Sequence, residues 1–223
     1  MNTESALDMC ALPLTSPVPQ TVTLAGVGRV HVAGDVRLLD RPGVAVVGSR
    51  RASHAGRALA AEVACELVRR GIVVVSGLAA GIDATAHETA IRAGGRTLAV
   101  IGTSLDEAYP RQHATLQDQI ARDHLVVSPF ESGTPTARWH FPARNRVMAR
   151  LARAMVLIEA SETSGTRHQV QECIALGKPV LVHGRLVDAR PVGWLVALAR
   201  RGQVALFWSM DEVGAHVAPV CGD

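Results

Sequence analysis

Short apolar runs that end in glycine or a small polar residue alternate along this chain with longer amphipathic segments. The run VAVVG at 44–48 is apolar and β-branched, which is typical of a strand buried on both faces of a parallel sheet. Residues 54–70 instead repeat apolar side chains such as Val63 and Leu67 at helical spacing, and Gly71 ends that segment. The pattern therefore predicts strands and helices in alternation.

The same alternation continues to the end of the chain. Further strands are predicted at 72–77, 97–102, 125–128, 154–160, 179–183 and 203–208. Helices are predicted at about 82–93, 111–122, 142–152, 166–176 and 190–201, with a last short helix from Asp211. Because a helix follows each apolar strand, we predict an α/β fold. It is an extended Rossmann-like, doubly wound and mostly parallel sheet with helices on both faces.

The first forty residues follow a different pattern. Residues 1–20 are rich in proline and polar residues, and they predict a flexible leader. Residues 21–43 alternate apolar with small residues, so we expect an N-terminal extension of the core that contains short strands. The Rossmann-type domain itself is predicted over residues 44–218.

Composition narrows the classes of protein that this chain can be. Nearly half of the residues are hydrophobic, but only 3% are aromatic, so Val, Leu, Ala and Ile must fill the core. No segment has the length of a membrane span or the pattern of a signal peptide, so we expect a cytoplasmic protein without a membrane partner. Neither disulfides nor a metal site is expected, because the cysteines are too far apart for a metal-binding pair. They are Cys10, Cys65, Cys173 and Cys221.

Charge is distributed unevenly, although the net charge of +3 is small. The stretch 132–158 contains no acidic residue but five arginines. They are Arg138, Arg144, Arg146, Arg150 and Arg153. Such a local excess is typical of an anion-binding face, and equally of a solvated helix face.

Two loops at predicted strand ends have the composition of phosphate sites. In the first, Gly48 allows a close backbone approach, Ser49 can donate a hydrogen bond and Arg50 can hold a phosphate with two donors. A helix cap that happens to contain arginine is the alternative. The second loop combines Ser76 with two glycines, Gly77 and Gly81, in a compact turn.

Asp83 and His87 follow that second loop and lie four residues apart, on one face of the predicted helix. A metal site or an acid–base pair would need more groups than these two. We therefore expect Asp83 to cap the helix start and His87 to be a hydrogen-bonded histidine behind it.

The run RWHFPARNR at 138–146 combines arginines with aromatic residues, as binding of a single nucleic-acid strand requires. Pro142 is suited to the first turn of a helix. Trp139 and Phe141 would lie on the same side if the segment were extended. Both could equally be core residues, and we do not expect both to be exposed.

A fourth loop, from Glu159 to Thr166, again predicts a turn into a helix, with Thr166 as its cap. Its acids, Glu159 and Glu162, argue against a phosphate there. They suit a ribose hydroxyl or an arginine partner such as Arg144 or Arg146.

The chain has no nucleophile elbow, Walker lysine motif, zinc-protease motif or intact dinucleotide fingerprint, so no catalytic residue and no cofactor is predicted.

Taken in order, these segments resemble the DprA/Smf DNA-processing family over about residues 30–215. The matching segments are VAVVGSRRAS at 44–53, the stretch 74–110, HFPARNRVMARLARAMVLIEA at 140–160, SGT at 164–166 and the tail at 193–213. The resemblance implies a domain that binds single-stranded DNA, protects incoming strands and helps to load the RecA recombinase during natural transformation. It also implies a homodimer.

The resemblance also implies roles for single residues. Arg50 would hold a phosphate, Arg138 would do so where the family usually has lysine, and Phe141 would contact a base. The full DNA-binding set is Gly48, Ser49, Arg50, Ser76, Gly77, Gly81, Arg138, Phe141, Arg144, Asn145 and Arg146.

The chain departs from the family pattern in three places. After SGT it reads Arg167-His168-Gln169-Val170 instead of a Leu/Ile-Thr-Ala type sequence, and Arg150-Leu151-Ala152 replaces the usual Gly-Leu-Ser. It is also too short for the N-terminal helical (SAM-like) or C-terminal winged-helix domains of many members, so a core-only variant is expected.

Two other functions stay open at the level of sequence. One is a phosphoribohydrolase of the LOG type, whose loop carries a glutamate where this chain has Gln169, with Glu172 one turn further along. The other is a nucleotide-sensing protein of phage defence.

Overall fold

The computed structural model describes residues 18–189 and 191–222. Nearly all of the predicted leader lies outside these residues, and Gln20 already belongs to the first strand. Within the described chain, nine strands form one sheet and seven α-helices cover it. No helix in this part of the chain combines the length and apolar character needed to cross a bilayer.

The strands are β1 Gln20–Leu24, β2 Gly28–Gly34, β3 Gly43–Val47, β4 Val73–Ser76, β5 Thr97–Val100, β6 Leu125–Ser128, β7 Ala154–Leu157, β8 Val180–His183 and β9 Ala205–Phe207. The α-helices are α1 His54–Arg69, α2 Ile82–Arg92, α3 Ala114–Asp123, α4 His140–Leu151, α5 Thr166–Ala175, α6 Gly193–Arg200 and α7 Met210–Cys221. Short 3₁₀ turns lie at Val36–Leu39, Arg111–His113 and Gly184–Leu186.

The strand order is β1-β2-β6-β5-β4-β3-β7-β8-β9. The chain proceeds from β3 outward to β6 in one direction, then returns to place β7 on the other side of β3, where Val47 pairs with Leu157. All pairs from β6 to β9 are parallel. The predicted doubly wound, mostly parallel sheet is confirmed. Its switch point lies between β3 and β7, where such sheets bind ligands at the carboxyl ends of the strands.

The strands expected before the core form a hairpin. β1 and β2 are antiparallel to each other, and β2 continues the main sheet by pairing antiparallel with β6, with Val32 opposite Val127. The two segments therefore close one edge of the sheet, away from the switch point. The predicted domain boundaries at 20/21, 43/44 and 218 stay a prediction.

The core has two layers because every central strand is buried on both faces. In β3, Ala45 and Val47 pack on the side of α4, α5 and α6, whereas Val44 and Val46 face α1 and α7. Aliphatic side chains dominate both layers, as composition predicted. The described residues that carry polar chemistry therefore concentrate at the strand ends.

A lysine secures the C-terminal end of α4. Lys178 is the only lysine in the sequence. Its ammonium donates hydrogen bonds to the carbonyl oxygens of Ala149, Arg150 and Ala152 at 2.5–2.8 Å. Carbonyls at a helix C-terminus lack intrahelical partners and carry partial negative charge. Lys178 therefore both neutralises and hydrogen-bonds this helix end, which fixes α4 on the sheet.

Candidate nucleic-acid interface

The loop after β3 is fixed in place by its neighbours at the switch point. The Gly48 α-carbon packs so closely on Ile82 and the Glu159 backbone that a side chain there would need both to move. The Ser49 hydroxyl accepts the Arg51 N–H at 3.1 Å, which closes the turn. This turn places Arg50 at the mouth of the cavities described below.

The carboxylate of Glu159, just after β7, accepts hydrogen bonds from this loop and not from an arginine. Glu159 accepts the Ser53 backbone N–H at 3.1 Å and the Ser53 hydroxyl at 2.8 Å. Glu162 accepts the Gly193 N–H. The expectation that these acids pair with Arg144 or Arg146 is therefore wrong, because backbone and hydroxyl donors at nearby helix starts already use them.

The loop after β4 supports Arg50 from below. The Ser76 hydroxyl is buried and donates to the Val46 carbonyl at 2.6 Å, so it faces the sheet and not the cavities. Gly81, with φ of +82°, packs against the backbone of Ser49 and Arg50. The Ile82 N–H then donates to the Ser49 carbonyl at 3.2 Å. Of this predicted set, Ser76 and Gly81 thus hold the loops together.

Arg144 is the central cation of the site. It projects from α4 over Gly77, where a side chain would overlap its guanidinium, and only 4% of it is exposed. Its nearest acid is Asp83, 3.9 Å from Nη1, a distance too long for a hydrogen bond. Neither Nε nor Nη1 has a hydrogen-bond partner among the described residues. The described chain therefore leaves two donor groups of this buried guanidinium unsatisfied.

Burial changes the ionisation of this pair. It raises the pKa of the Asp83 carboxyl and lowers the pKa of the Arg144 guanidinium, and in each case the opposite charge partly offsets the effect. Gly81 holds the capping position of α2, while Asp83 accepts the Ala79 N–H at 3.4 Å. The prediction that Asp83 caps α2 is therefore wrong, because Asp83 lies inside the first turn and its nearest charged partner is Arg144.

His87 lies one turn behind Asp83 and is fully buried. The Thr97 hydroxyl donates to the Val74 carbonyl at 2.7 Å, so His87 Nδ1 must donate to Thr97 Oγ1 at 2.6 Å. Burial lowers the pKa of His87 to about 3. The predicted hydrogen-bonded histidine is confirmed, and it is a neutral one.

Phe141 supplies an aromatic surface beside Arg50. Its ring centroid lies 5.2 Å from the Arg50 guanidinium carbon and 5.2 Å from the Tyr109 ring. Gly102 leaves room for it, because a side chain there would overlap the ring. The half-buried ring thus lies between a cation and a second aromatic residue.

The run before α4 is a turn and not an extended segment. His140 begins the helix, which places Pro142 in its first turn as predicted. Trp139 is 62% exposed and meets Phe130 edge-on, whereas the half-buried Phe141 meets Tyr109. Arg138 is exposed in the same turn and lies outside the residues that line the cavities.

Three adjoining cavities follow the carboxyl end of the sheet. The central pocket, about 340 Å³, is lined by residues 48–51, Asp83, Arg144, Asn145 and the start of α5. The aromatic pocket, about 150 Å³, contains Phe141, Tyr109 and Gly77 and shares Arg50 and Arg144 with the central one. The α4–α5 groove, about 470 Å³, includes Arg146 and His168 and shares Asn145 and Gln169 with the central pocket.

The start of α5 differs from prediction. Thr166 is the first helical residue, and its N–H donates to the Ser164 hydroxyl at 3.3 Å, so Thr166 is not the cap. Gln169 is only 3% exposed, and its Nε2 has no hydrogen-bond partner in the described chain. In the sequence, Gln169 stands out as a departure from the family pattern and as the residue in place of the LOG-type glutamate. Its position one turn after a small polar loop was the signal that it faces the site.

The arginine-rich stretch divides between structural and open positions. Arg150 pairs with Glu172 at 2.8 Å, and Arg153 donates to the Val220 carbonyl at 3.2 Å. Arg144 and Arg146 line the cavities instead. Nowhere in the described residues do three or more His, Cys, Asp or Glu side chains group as a metal site would require.

The order of these loops along the chain matches a known family. A sequence profile for DNA recombination-mediator protein A matches residues 28–206. The chain belongs to this family. It is 43% identical over 156 residues to the DNA processing protein DprA of Streptococcus pneumoniae, and 33% identical over 182 residues to that of Bacillus subtilis. These alignments cover 70% and 81% of this chain but only 55% and 61% of the relatives. The chain thus spans little more than half of their length.

Solved structures of DNA processing protein A share the fold. The Streptococcus pneumoniae protein superimposes with a TM-score of 0.78 at 38% identity, over 85% of this chain and 66% of that one. The Helicobacter pylori protein, whose structure describes a unique single-stranded DNA binding mode, gives 0.80 at 26% identity, over 92% and 97%. A molybdenum cofactor binding protein from Rippkaea orientalis, with a TM-score of 0.59 at 17% identity, shares the fold alone. Membership of the DprA/Smf family, expected from the motifs, is confirmed.

Proposed function

We propose that this chain binds single-stranded DNA in the central and aromatic pockets, independently of base sequence and without catalysis. The main support for this proposal is the environment of Arg144. Arg144 is a buried residue that lines a cavity at the topological switch point, and two nitrogens of its guanidinium have no hydrogen-bond partner among the described residues. A buried cation needs a partner, and a single carboxylate at 3.9 Å does not satisfy its donors. A backbone phosphate would.

Arg50 and Phe141 give the site the two properties that binding of a single strand requires. Arg50 can hold a phosphate, while Phe141 can contact any base. Because the Arg50 guanidinium lies over the Phe141 ring, at 5.2 Å from its centroid, a nucleotide held by Arg50 is also next to Phe141. Gly48 and Ser49 line the central pocket, Gly77 lines the aromatic pocket, and Asn145 and Arg146 extend the contact surface. Arg138, exposed beside α4, is proposed as a peripheral phosphate contact.

The single-stranded DNA binding mode described for the Helicobacter pylori protein supports this assignment. It does so for the domain, because that chain is covered over 97% of its length. By family resemblance we further propose that the chain acts in the cytoplasm as a homodimer, protects incoming strands and helps to load a RecA-type recombinase.

The absence of catalysis is part of the proposal and is supported by the occupied acids. Asp83 faces Arg144, and Glu159 is held by Ser53. The phosphoribohydrolase alternative is not favoured, because Gln169 stands where those enzymes need a glutamate. The nearby Glu172 is already paired with Arg150 at 2.8 Å.

Fluorescence anisotropy with labelled oligo-dT tests the proposal. Single-stranded and duplex probes are compared from about 50 to 300 mM salt, the range over which counterion release changes affinity strongly. We expect the single strand to bind more tightly, with affinity that falls as salt rises. Absence of binding at low salt, or equal affinity for the duplex, would contradict the proposal.

A further inference from the structure

The buried amide of Gln169 marks a junction between two cavities. It lines both the central pocket and the α4–α5 groove, and Asn145 is the other residue that does so. Because Gln169 is 3% exposed and its Nε2 has no partner in the described chain, it carries the cost of a buried donor. A ligand acceptor at the junction would remove that cost.

The groove beyond the junction has the charge that a phosphate backbone needs. Arg146 is exposed at its wall, and His168 and Gln171 add further polar groups. Its one lining carboxylate, Glu172, is held by Arg150 at 2.8 Å and is therefore neutralised. The groove is also roomier than the central pocket, at about 470 Å³ against 340 Å³.

We propose that the α4–α5 groove is the continuation of the strand site, with Gln169 donating to the strand at the junction. This inference rests on the proposed function and adds a direction to it. A strand anchored at Phe141 and Arg50 passes Arg144, crosses Gln169 and leaves between α4 and α5.

Binding along this path depends on the length of the oligonucleotide. A short oligonucleotide fills only the aromatic and central pockets, whereas a longer one also occupies the groove. Changes within the groove should therefore weaken long oligonucleotides only. Changes at the anchor should weaken all of them.

The test uses competition anisotropy with unlabelled oligo-dT in steps from three to twelve nucleotides. Gln171→Glu adds one negative charge on the exposed groove wall. Gln203→Glu adds the same charge at an exposed glutamine just before β9, at the amino-terminal end of that strand. We expect Gln171→Glu to weaken the longer oligonucleotides about three- to tenfold and to leave the shortest unchanged. Gln203→Glu should change neither.

Gln169→Met then tests the junction itself, since methionine retains the volume of the side chain but has no N–H donor. We expect weaker binding of every oligonucleotide that reaches the junction, with the melting temperature confirming a folded variant. Equal effects of Gln171→Glu and Gln203→Glu at all lengths, or unchanged binding by Gln169→Met, would overturn the inference. Arg50→Ala distinguishes a failure of the groove path from a failure of the proposed function. If it weakens all lengths while the groove variants bind normally, only the path is wrong; if it too binds normally, the anchor of the proposed function is wrong.

Discussion

The two ends of α4 each hold a cation, and the two cations are used differently. At the C-terminal end, three backbone carbonyls within 2.8 Å accept the hydrogen bonds of Lys178. Near the N-terminal end, Arg144 is almost fully buried, yet its Nε and Nη1 have no partner in the described chain. A cation whose donors are all satisfied stabilises the fold, whereas one with open donors beside a cavity is placed for a ligand.

The physical origin of the difference is the helix end itself. The last turn of a helix presents unpaired carbonyls, which suit a compact ammonium with three donors. The first turn presents N–H groups instead, so Arg144 finds no acceptor there and depends on Asp83 at 3.9 Å. The fold can satisfy a cation at one end of α4 but not at the other.

The largest effect is expected on stability, at the C-terminal end of α4, where Lys178 makes three hydrogen bonds. Lys178→Met should lower the free energy of unfolding by about 2–3 kcal/mol, because several carbonyls lose a charged donor. Lys178→Arg should not restore it, since a planar guanidinium cannot replace the three convergent bonds. Urea unfolding measures both variants. Their folded forms should bind oligo-dT within about twofold of the parent, and a much larger loss would show that Lys178 belongs to the site.

Near the N-terminal end of α4, changes at Arg144 are expected to weaken the binding of oligo-dT. The double change Arg144→Gln with Asp83→Asn replaces the buried ion pair by two neutral amides. It should weaken oligo-dT binding about tenfold or more, because hydrogen bonds to a charged partner are worth about 1.5–3 kcal/mol. Anisotropy measures the affinity and urea unfolding the stability. Asp83→Asn alone is the control, since it retains the cation and should retain binding. An equal loss of binding in the double variant and in Asp83→Asn alone would contradict the proposed role of Arg144.

His87, one turn behind Asp83, is a third buried group that can carry a positive charge, but in the folded protein it is neutral. Its pKa in the folded protein is about 3, below the value near 6.5 of an unfolded histidine. The unfolded chain therefore takes up a proton first as pH falls, so stability is lost from about pH 6.5 downward. From pH 7 to pH 5 this histidine should cost about 2 kcal/mol. His87→Phe should flatten that part of the pH profile in urea unfolding. An unchanged slope would mean that other groups cause it.

The fold was predictable because its signals are local. Apolar runs such as 44–48 and the helical repeat at 54–70 carry the sheet and its helices, and the strand ends carry the loops. The partner of Arg144 was not predictable in the same way. Asp83, Glu159 and Glu162 all lie just after strands, and only the strand order and the crossing of α4 decide which of them comes near.

Two further residues show the same limit. Gln169 stood out as a departure from the family pattern and as the residue in place of the LOG-type glutamate, but not as a site residue, because its burial between two cavities depends on how α4 packs against α5. Arg138 lies outside the cavities because the segment before α4 turns at Trp139, and aromatic spacing alone did not reveal that turn.

The most direct test of the account compares the salt dependence of two arginine variants. Arg50 lies at the mouth of the central pocket, after the carboxyl end of β3. Arg41 is an exposed arginine before the amino-terminal end of the same strand and donates to the Gly71 carbonyl. Anisotropy with single-stranded oligo-dT over a salt series gives the slope of log affinity against log salt. Arg50→Ala should weaken binding and reduce that slope by about 0.7, the value for one lost phosphate contact on a single strand, and Arg41→Ala should change neither. Equal slopes for the two variants would contradict a phosphate site at the switch point.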